Sequence, residues 1–374
     1  MAAPTTWGGS LNANEIFTTI YNMIVRQDVV SKNIGNTFKS LVDLFRVEGS
    51  RYGDTYLRYS TNALRTYKYE PDTSGQLNVL AVHRPADPFV QAVVLDQFRW
   101  IPVTIDSYLT KRAFSTESVF STFNSVCLQW LRDTKSIYES TLMNSYAGTI
   151  ETSEGSQQQE VDLSGITAAA TTTDEEAMNR LVAEMIAEKL ADIMVAVKDP
   201  LTGKDFNDLG YYRSWDDSDF VIVWNANWVN KIRKLLEPTI FHKDGLLGIE
   251  DKYVLPGFYF GTVNTSSGTA TAGTRSLIEQ EIGGVHYWPG EEIASGASYL
   301  ANTTYQENSD PATDGSVICK IIHKEAIPFM DGFETQTEFI NAKNLSQNHY
   351  LHFGHSKPDR FYDLPLITVK ANLS

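Results

Sequence analysis

Apolar positions along the chain follow two rhythms, one helical and one extended, and the changes of rhythm mark its elements. Between residues 12 and 48, Ile16, Ile20 and Ile24, then Phe38, Leu41, Val42 and Phe45, recur at three-to-four spacing. This predicts one or two short helices broken near Gly35-Asn36. The longest helical signal runs from Ser115 to Tyr146 through Val119, Phe123, Val126, Cys127, Trp130, Leu131, Ile137, Tyr138 and Leu142. Ser115 is placed to cap it, Glu117 stands in its first turn and Gly148 is placed to stop it, giving a helix of about 45 Å. Cys127 lies in that apolar stripe and reads as a packed thiol. A capping box at Thr173-Asp174-Glu175-Glu176 opens a further helix toward Val197. Its apolar face is Met178, Leu181, Val182, Met185, Ile186, Leu190 and Ile193, and Pro200 and Gly203 close it.

Residues 51–110 are extended in character and rich in Tyr, Val, Thr and Arg. One arm starts at residues 55–59 (TYLRY) and runs toward Tyr69, and residues 71–75 (PDTSG) form a turn. The other arm carries Val93, Leu95, Gln97, Arg99, Ile101, Val103 and Ile105 on one face and Val94, Asp96, Phe98 and Trp100 on the other. Both faces mix apolar and polar groups, which predicts a long two-stranded hairpin covering another surface rather than a half-buried sheet. A hairpin alone is marginal in water, so it needs a partner within the chain or in another chain. Residues 220–224 (FVIVW) predict a strand buried on both faces, followed by a helix capped by Asn227. Residues 151–175 read as a polar loop or short strands. Residues 262–275 and 293–316 read as Ser/Thr/Gly/Asn-rich loops around a short strand at 284–288, with another strand at 316–322. Together these elements predict an α+β chain without βαβ periodicity.

Composition sharpens this picture at three points. The 374 residues are 42% apolar, enough for a sizeable core in one large domain or in two or three parts. The net charge of −15 argues against a dedicated nucleic-acid-binding module, which needs a basic face. That charge is unevenly spread: residues 1–112 hold 12 of the 31 basic and 10 of the 46 acidic side chains, a net of +2, leaving −17 for the remainder. Such a split fits a solvated surface or a first third that lies against acidic surfaces of other copies. Two distant cysteines, Cys127 and Cys319, give no disulfide scaffold and suit a reducing compartment. The N-terminal residues lack a signal-peptide pattern and no apolar run approaches a membrane span, so a soluble protein made inside the cell is expected.

Motifs that carry chemistry are sparse. There is no phosphate loop, dinucleotide fingerprint, nucleophile elbow, HExxH or CxxC. His349, His352 and His355 are the best metal candidates, but on a strand His352 faces away from the other two. Asp216, Asp217 and Asp219 lack the glycine and distal glutamate of a calcium loop. The asparagines of three Asn-x-Ser/Thr sequons, Asn264, Asn302 and Asn344, carry no meaning without a secretion signal. No cofactor or metal is expected.

Two stretches nevertheless carry a resemblance: LDQFRWIPVTIDSYLTKRAF at residues 95–114, running into the long helix, and FVIVWNANWVNKIRKLL at residues 220–236. With the order of elements, they resemble the major capsid proteins of tailed bacteriophages of the Hong Kong 97-type fold, most like those of short-tailed (podovirus) phages. The resemblance implies residues 1–50 as an N-terminal arm and 51–112 as the extended β-hairpin loop. Residues 113–175 would be the spine helix and start of the peripheral domain, 176–315 the axial domain with a loop-rich insertion, and 316–374 returning strands of the peripheral domain. It implies a non-enzymatic subunit that self-assembles into hexamers and pentamers of an icosahedral virion shell, built in the host cytoplasm. The implied partners are further copies of the chain, portal and scaffolding or head-fibre proteins, and double-stranded DNA enclosed without sequence-specific binding, with no membrane. Arg51, Arg58, Arg65, Lys68, Arg84, Arg99 and Trp100 are the expected inter-subunit contacts, the cations meeting acidic groups on adjacent copies. An encapsulin-type compartment, an α+β enzyme with an unrecognised site and a tail tube subunit stand as alternatives.

Overall fold

The computed structural model describes residues 40–48, 53–66, 84–106, 117–152, 155–164, 175–229, 253–341, 343 and 346–374. In chain order the main elements are α1 (Ser40–Phe45), β1 (Arg46–Glu48), β2 (Thr55–Ser60), β3 (Phe89–Val94), β4 (Gln97–Asp106), α2 (Glu117–Thr149) and β5 (Gln158–Asp162). Then come α3 (Glu175–Lys198), α4 (Pro200–Gly203), β6 (Phe220–Asn225) and β7 (Val254–Leu255). After an insertion of short strands follow β8 (Val317–His323), β9 (Phe329–Asn341), β10 (Ser346–His355) and β11 (Leu366–Asn372). The chain divides into two compact units, one of residues 1–54, 95–143 and 329–357, the other of 55–94, 144–328 and 358–374.

The first unit is built on a four-stranded sheet of order β1-β9-β10-β4, in which β1 runs parallel to β9 and the other pairs are antiparallel. Strand β4 lies along all of β10, with Trp100 opposite His352 and Ile105 opposite Gln347. Its Pro102 has no N–H to donate and is tolerated because β4 is an edge strand among the described residues. The β9–β10 register shifts between Asp331 and Glu334, and Gly332 sits in that irregularity. A Cβ there would lie 2.1 Å from Leu95 Cδ1, and Leu95 is fully buried, so only glycine fits. Leu41, Val42 and Phe45 of α1 are buried, as their spacing predicts. So are Leu131, Tyr138 and Leu142 of α2, with the Tyr138 ring edge-on to Phe353 at 5.9 Å.

This sheet corrects the reading of residues 93–105 as the far arm of one long hairpin. The arm ends at Val94, where the Gly53 N–H donates to the Leu95 carbonyl at 2.9 Å and the Leu95 N–H to the Asp54 carbonyl at 3.0 Å. Residues 97–106 then pair with β10, whereas residues 55–60 pair with β3 alone among the described residues. The alternation of faces is as read, but one face is covered: Ile105 is buried, and Gln97, Arg99, Ile101 and Val103 are half-buried. The pattern hides this because Arg99 is on the covered side, its guanidinium 5.8 Å from the Tyr138 ring centre, while Phe98 and Trp100 face outward.

The second unit holds a five-stranded sheet of order β5-β11-β8-β6-β7. All seven residues of β8 are buried, and β6 is nearly so, as a run of five apolar residues predicts. On one side pack Ala183, Ile186, Leu190, Ile193 and Val197 of α3, with Trp215, Phe220, Trp224 and Trp228 in the same core. Leu181, expected in that stripe, is half exposed, and Ala183 takes its place. The helix after β6 is capped by Asn225, not Asn227: the Asn225 Oδ1 accepts the Asn227 N–H at 3.0 Å while its Nδ2 donates to the Val317 carbonyl at 2.8 Å. Gly148 is likewise not a stop signal, since α2 runs through it to Thr149. A Cβ at 148 would meet the Tyr259 carbonyl oxygen at 2.3 Å, so glycine is there for close approach.

The returning strands, expected as one set, are divided: β9 and β10 build the first sheet, β8 and β11 the second. The reason is composition, since VICKIIH and LITVKAN suit burial on both faces whereas TQTEFI of β9 is exposed on both. The insertion between residues 261 and 307 consists of short strands around Ala270, Tyr287 and Ile293.

Candidate inter-subunit surface

Strands β2 and β3 form an antiparallel hairpin root, with Leu57 opposite Ala92, Arg58 opposite Gln91 and Tyr59 opposite Val90. The period-2 geometry of a strand sorts its side chains onto two faces. One face turns inward: Ser60 and Val93 are buried, and Arg58, Gln91 and Phe89 are half-buried. The other face is entirely exposed and almost entirely apolar, with Leu57 48%, Tyr59 63%, Val90 46% and Val94 40% exposed, beside Thr55 and Ala92. A contiguous apolar face in water is unfavourable for a lone chain, which makes this face the candidate contact surface.

The inward face answers part of what the hairpin needs as a partner, since the segment around residues 360–363 packs on it. Arg58 Nε donates to both Asp363 carboxylate oxygens at 3.0 Å, Nη1 donates to Glu325 Oε2 at 3.1 Å, and the guanidinium stands 5.0 Å from the Phe361 ring centre. Burial alone would lower the Arg58 pKa, and the two carboxylates more than reverse it, so the guanidinium stays charged. The Gln91 side chain donates to the Arg360 carbonyl at 2.6 Å and accepts the Tyr362 N–H at 3.1 Å. Arg213 donates to Ser60 Oγ at 3.1 Å and to the Thr61 carbonyl at 2.6 Å.

Of the expected contact residues, Arg58 has acidic partners inside its own chain, Asp363 and Glu325. Arg65 and Arg84 are exposed on the connection between β2 and β3. Arg51 and Lys68 lie outside the described residues. Arg99 and Trp100 are in β4 of the first unit on opposite faces, Arg99 inward and Trp100 55% exposed. Trp100 ends a row of rings on the outer face of that sheet: Phe333 and Phe98 (5.5 Å), Phe98 and His352 (5.7 Å), His352 and Tyr350 (6.1 Å), Tyr350 and Trp100 (5.6 Å). The sequence pattern already put Phe98 and Trp100 on one face, with Trp100 alone as a contact; Phe333, Tyr350 and His352 join them from strands more than two hundred residues away.

Several of the described reactive side chains serve the fold. His355 accepts or donates to Tyr138 Oη at 3.0 Å and meets the Ser356 carbonyl at 2.9 Å. Burial holds its pKa down to about 4, against the backbone contact, so the ring is neutral at physiological pH. His352 faces away from His349 and His355, as the strand spacing predicts, and bonds Thr337 at 3.0 Å. Burial pushes the Cys319 thiol well above its usual range. Lys320 is fully buried, its Nζ donating to the Ile150 carbonyl at 2.6 Å just past the C-terminus of α2, where the helix dipole favours a cation. Burial lowers its pKa to about 7, partly opposed by Glu151. Among the described residues no three His, Cys, Asp or Glu side chains are grouped to hold a metal, and no helix is long and apolar enough to cross a membrane.

Comparison with known proteins places these features in one family. No curated protein sequence matches the chain. The capsid structure of Staphylococcus phage Andhra contains a chain similar in fold, with a TM-score of 0.54 and 11% identity over 90% of this chain and 84% of that one. The structure of the head fiber and inner core protein gp22 of native bacteriophage P68 contains another, with a TM-score of 0.54 and 12% identity over 88% and 83%. The sequence profile of the Phi29-like phage major capsid proteins matches residues 6–361. The chain belongs to that family: it is a structural subunit of a phage capsid, with a Hong Kong 97-type α+β fold.

Proposed function

We propose that many copies of this chain close into hexamers and pentamers of an icosahedral shell around double-stranded DNA, and that the outer face of the β2–β3 hairpin is a principal contact between neighbours. The observation that carries this reading is the sorting of the hairpin, charges inward and Leu57, Tyr59, Val90 and Val94 outward. Completing the burial of half-exposed side chains of this size contributes about 1 kcal/mol each. Repeated at heterologous contacts around a closed shell, that is sufficient to favour assembly. Arg65 and Arg84 supply steering toward the acidic body of a neighbour rather than affinity.

On this reading residues 1–50 are the arm, the extended loop is centred on residues 55–94, α2 is the spine, and β9 and β10 belong to the peripheral domain. The role is structural rather than catalytic, and the particle is a virion assembled in the host cytoplasm. Portal, scaffolding or head-fibre proteins are its other partners. The net charge of −15 suits a wall that encloses DNA without gripping it. Electron microscopy of the expressed chain tests the reading: regular shells or hexameric capsomers are expected. A monodisperse monomer at high concentration contradicts it, and virions whose shells contain this chain but no DNA contradict the genome-enclosing role.

A further inference from the structure

The hairpin root is gripped a second time, at the point where its ladder stops. Strands β2 and β3 pair from Thr55 with Val94 to Ser60 with Phe89, and residues 61–66 continue exposed and outside any strand. At that exit stands the loop of residues 207–215. Arg213 Nη2 donates to Ser60 Oγ at 3.1 Å and to the Thr61 carbonyl at 2.6 Å. Asn62 Oδ1 accepts the Tyr212 N–H at 3.1 Å and the Ala63 N–H at 2.8 Å. These acceptors are neutral. A guanidinium presents its donors in a rigid planar fork, so on such partners it fixes a direction rather than pairing a charge.

The loop is itself firmly held. Asn207, 3% exposed, donates to the Tyr211 carbonyl at 2.8 Å and accepts the Tyr211 N–H at 2.8 Å. The Asp208 N–H donates to the Tyr362 carbonyl at 2.9 Å, and the Asp208 carboxylate pairs with Arg360. Ser214 Oγ donates to the Lys198 carbonyl at 2.6 Å, and Trp215 is buried in the core of the second unit. The backbone passes Gly203 so closely that a Cβ on residue 203 would lie 2.3 Å from the Arg213 carbonyl oxygen.

Asp363 and Glu325 hold the middle of β2 through Arg58, and the loop holds its end. A strand tied at one point can pivot; tied at two, it has a direction. We propose that Arg213 is a positioning residue for assembly: with Asn62 it aims the connection beyond Ser60, and Arg65 on it, so that a neighbouring copy meets the hairpin in one orientation. This rests on the proposed role of the hairpin as a contact between copies. A contact presented in one orientation avoids an ordering cost on association. If about one hairpin in ten is correctly aimed without the brace, each contact weakens about tenfold.

Arg213→Ala and Asn62→Ala in the full chain test this beside the unaltered chain and the Leu57→Asp/Tyr59→Asp variant. Assembly is followed by light scattering and electron microscopy, and the unassembled chains by hydrogen exchange. In either alanine variant the concentration at which shells appear is expected to rise about tenfold. Exchange is expected to quicken in peptides covering residues 60–66 and to stay unchanged in β8 and β11. Arg213→Lys, which keeps a donor for the Thr61 carbonyl, is expected to assemble better than Arg213→Ala. Shells at the normal concentration from both alanine variants overturn the brace. The hairpin contact still stands in that case if Leu57→Asp/Tyr59→Asp fails to assemble, and falls with it if that variant assembles normally. Weaker assembly accompanied by faster exchange throughout the second unit also overturns the proposal, making Arg213 a residue of general stability.

Discussion

Strand β8 and the β2–β3 hairpin solve opposite problems. Every side chain of β8 is buried inside the five-stranded sheet, so its sequence is almost continuously apolar and its one charged group, Lys320, is satisfied by a carbonyl. The hairpin instead turns its charged and amide side chains inward beside Val93 and Phe89, onto Asp363, Glu325 and the backbone around residue 360, and leaves Leu57, Tyr59, Val90 and Val94 in solvent. A strand that exists for its own fold hides its hydrophobes. The hairpin displays them, while its buried polar contacts fix its root to the second unit. Rigid anchoring on one face and apolar display on the other is what a subunit needs to present a contact surface to another copy.

The contrast can be broken at either end. The largest effect is expected at the core end: Trp224→Ala, at a fully buried position beside β8, loses about 3–5 kcal/mol of stability in denaturant titration. Arg58→Met comes next. It leaves Asp363, whose side chain is 8% exposed, without its cation, and about 1–3 kcal/mol is expected after allowing for the partial exposure of Arg58. If Arg58 served neighbours only, thermal unfolding of the unassembled chain would not change.

Lys320 gives a pH-dependent test of the core. Its folded pKa of about 7 lies below the unfolded value near 10.5, so the penalty of burying its charge is full below about pH 7 and fades as pH rises toward 10.5. Stability is therefore expected to climb with pH across that window, and Lys320→Met to flatten the climb. The smallest stability effect, within about 0.5 kcal/mol, is expected at the display end, for Leu57→Asp with Tyr59→Asp, because both side chains already face water.

Much of this was legible in the sequence where a single element decides the pattern. The spacing from Val119 to Leu142 located α2, and the run FVIVW located β6 as a buried strand. What was not legible depends on partners distant in the chain. Nothing near Arg58 reveals Asp363, 305 residues away, so its charge read as available to a neighbour. Strand β4 looked two-faced because Arg99 lies against Tyr138 on the covered side while aromatic rings take the outside. Gly148 and Asn227 were misread for a related reason: close approach of Tyr259 and a side-chain bond to the Ser309 carbonyl are tertiary facts, and local capping rules do not contain them.

The most direct test of the central claim is particle assembly by the Leu57→Asp/Tyr59→Asp variant, followed by sedimentation velocity and electron microscopy beside the unaltered chain. A subunit with unchanged far-ultraviolet circular dichroism and unfolding midpoint that sediments without forming shells is expected. Shells of normal size and yield from that variant would contradict it.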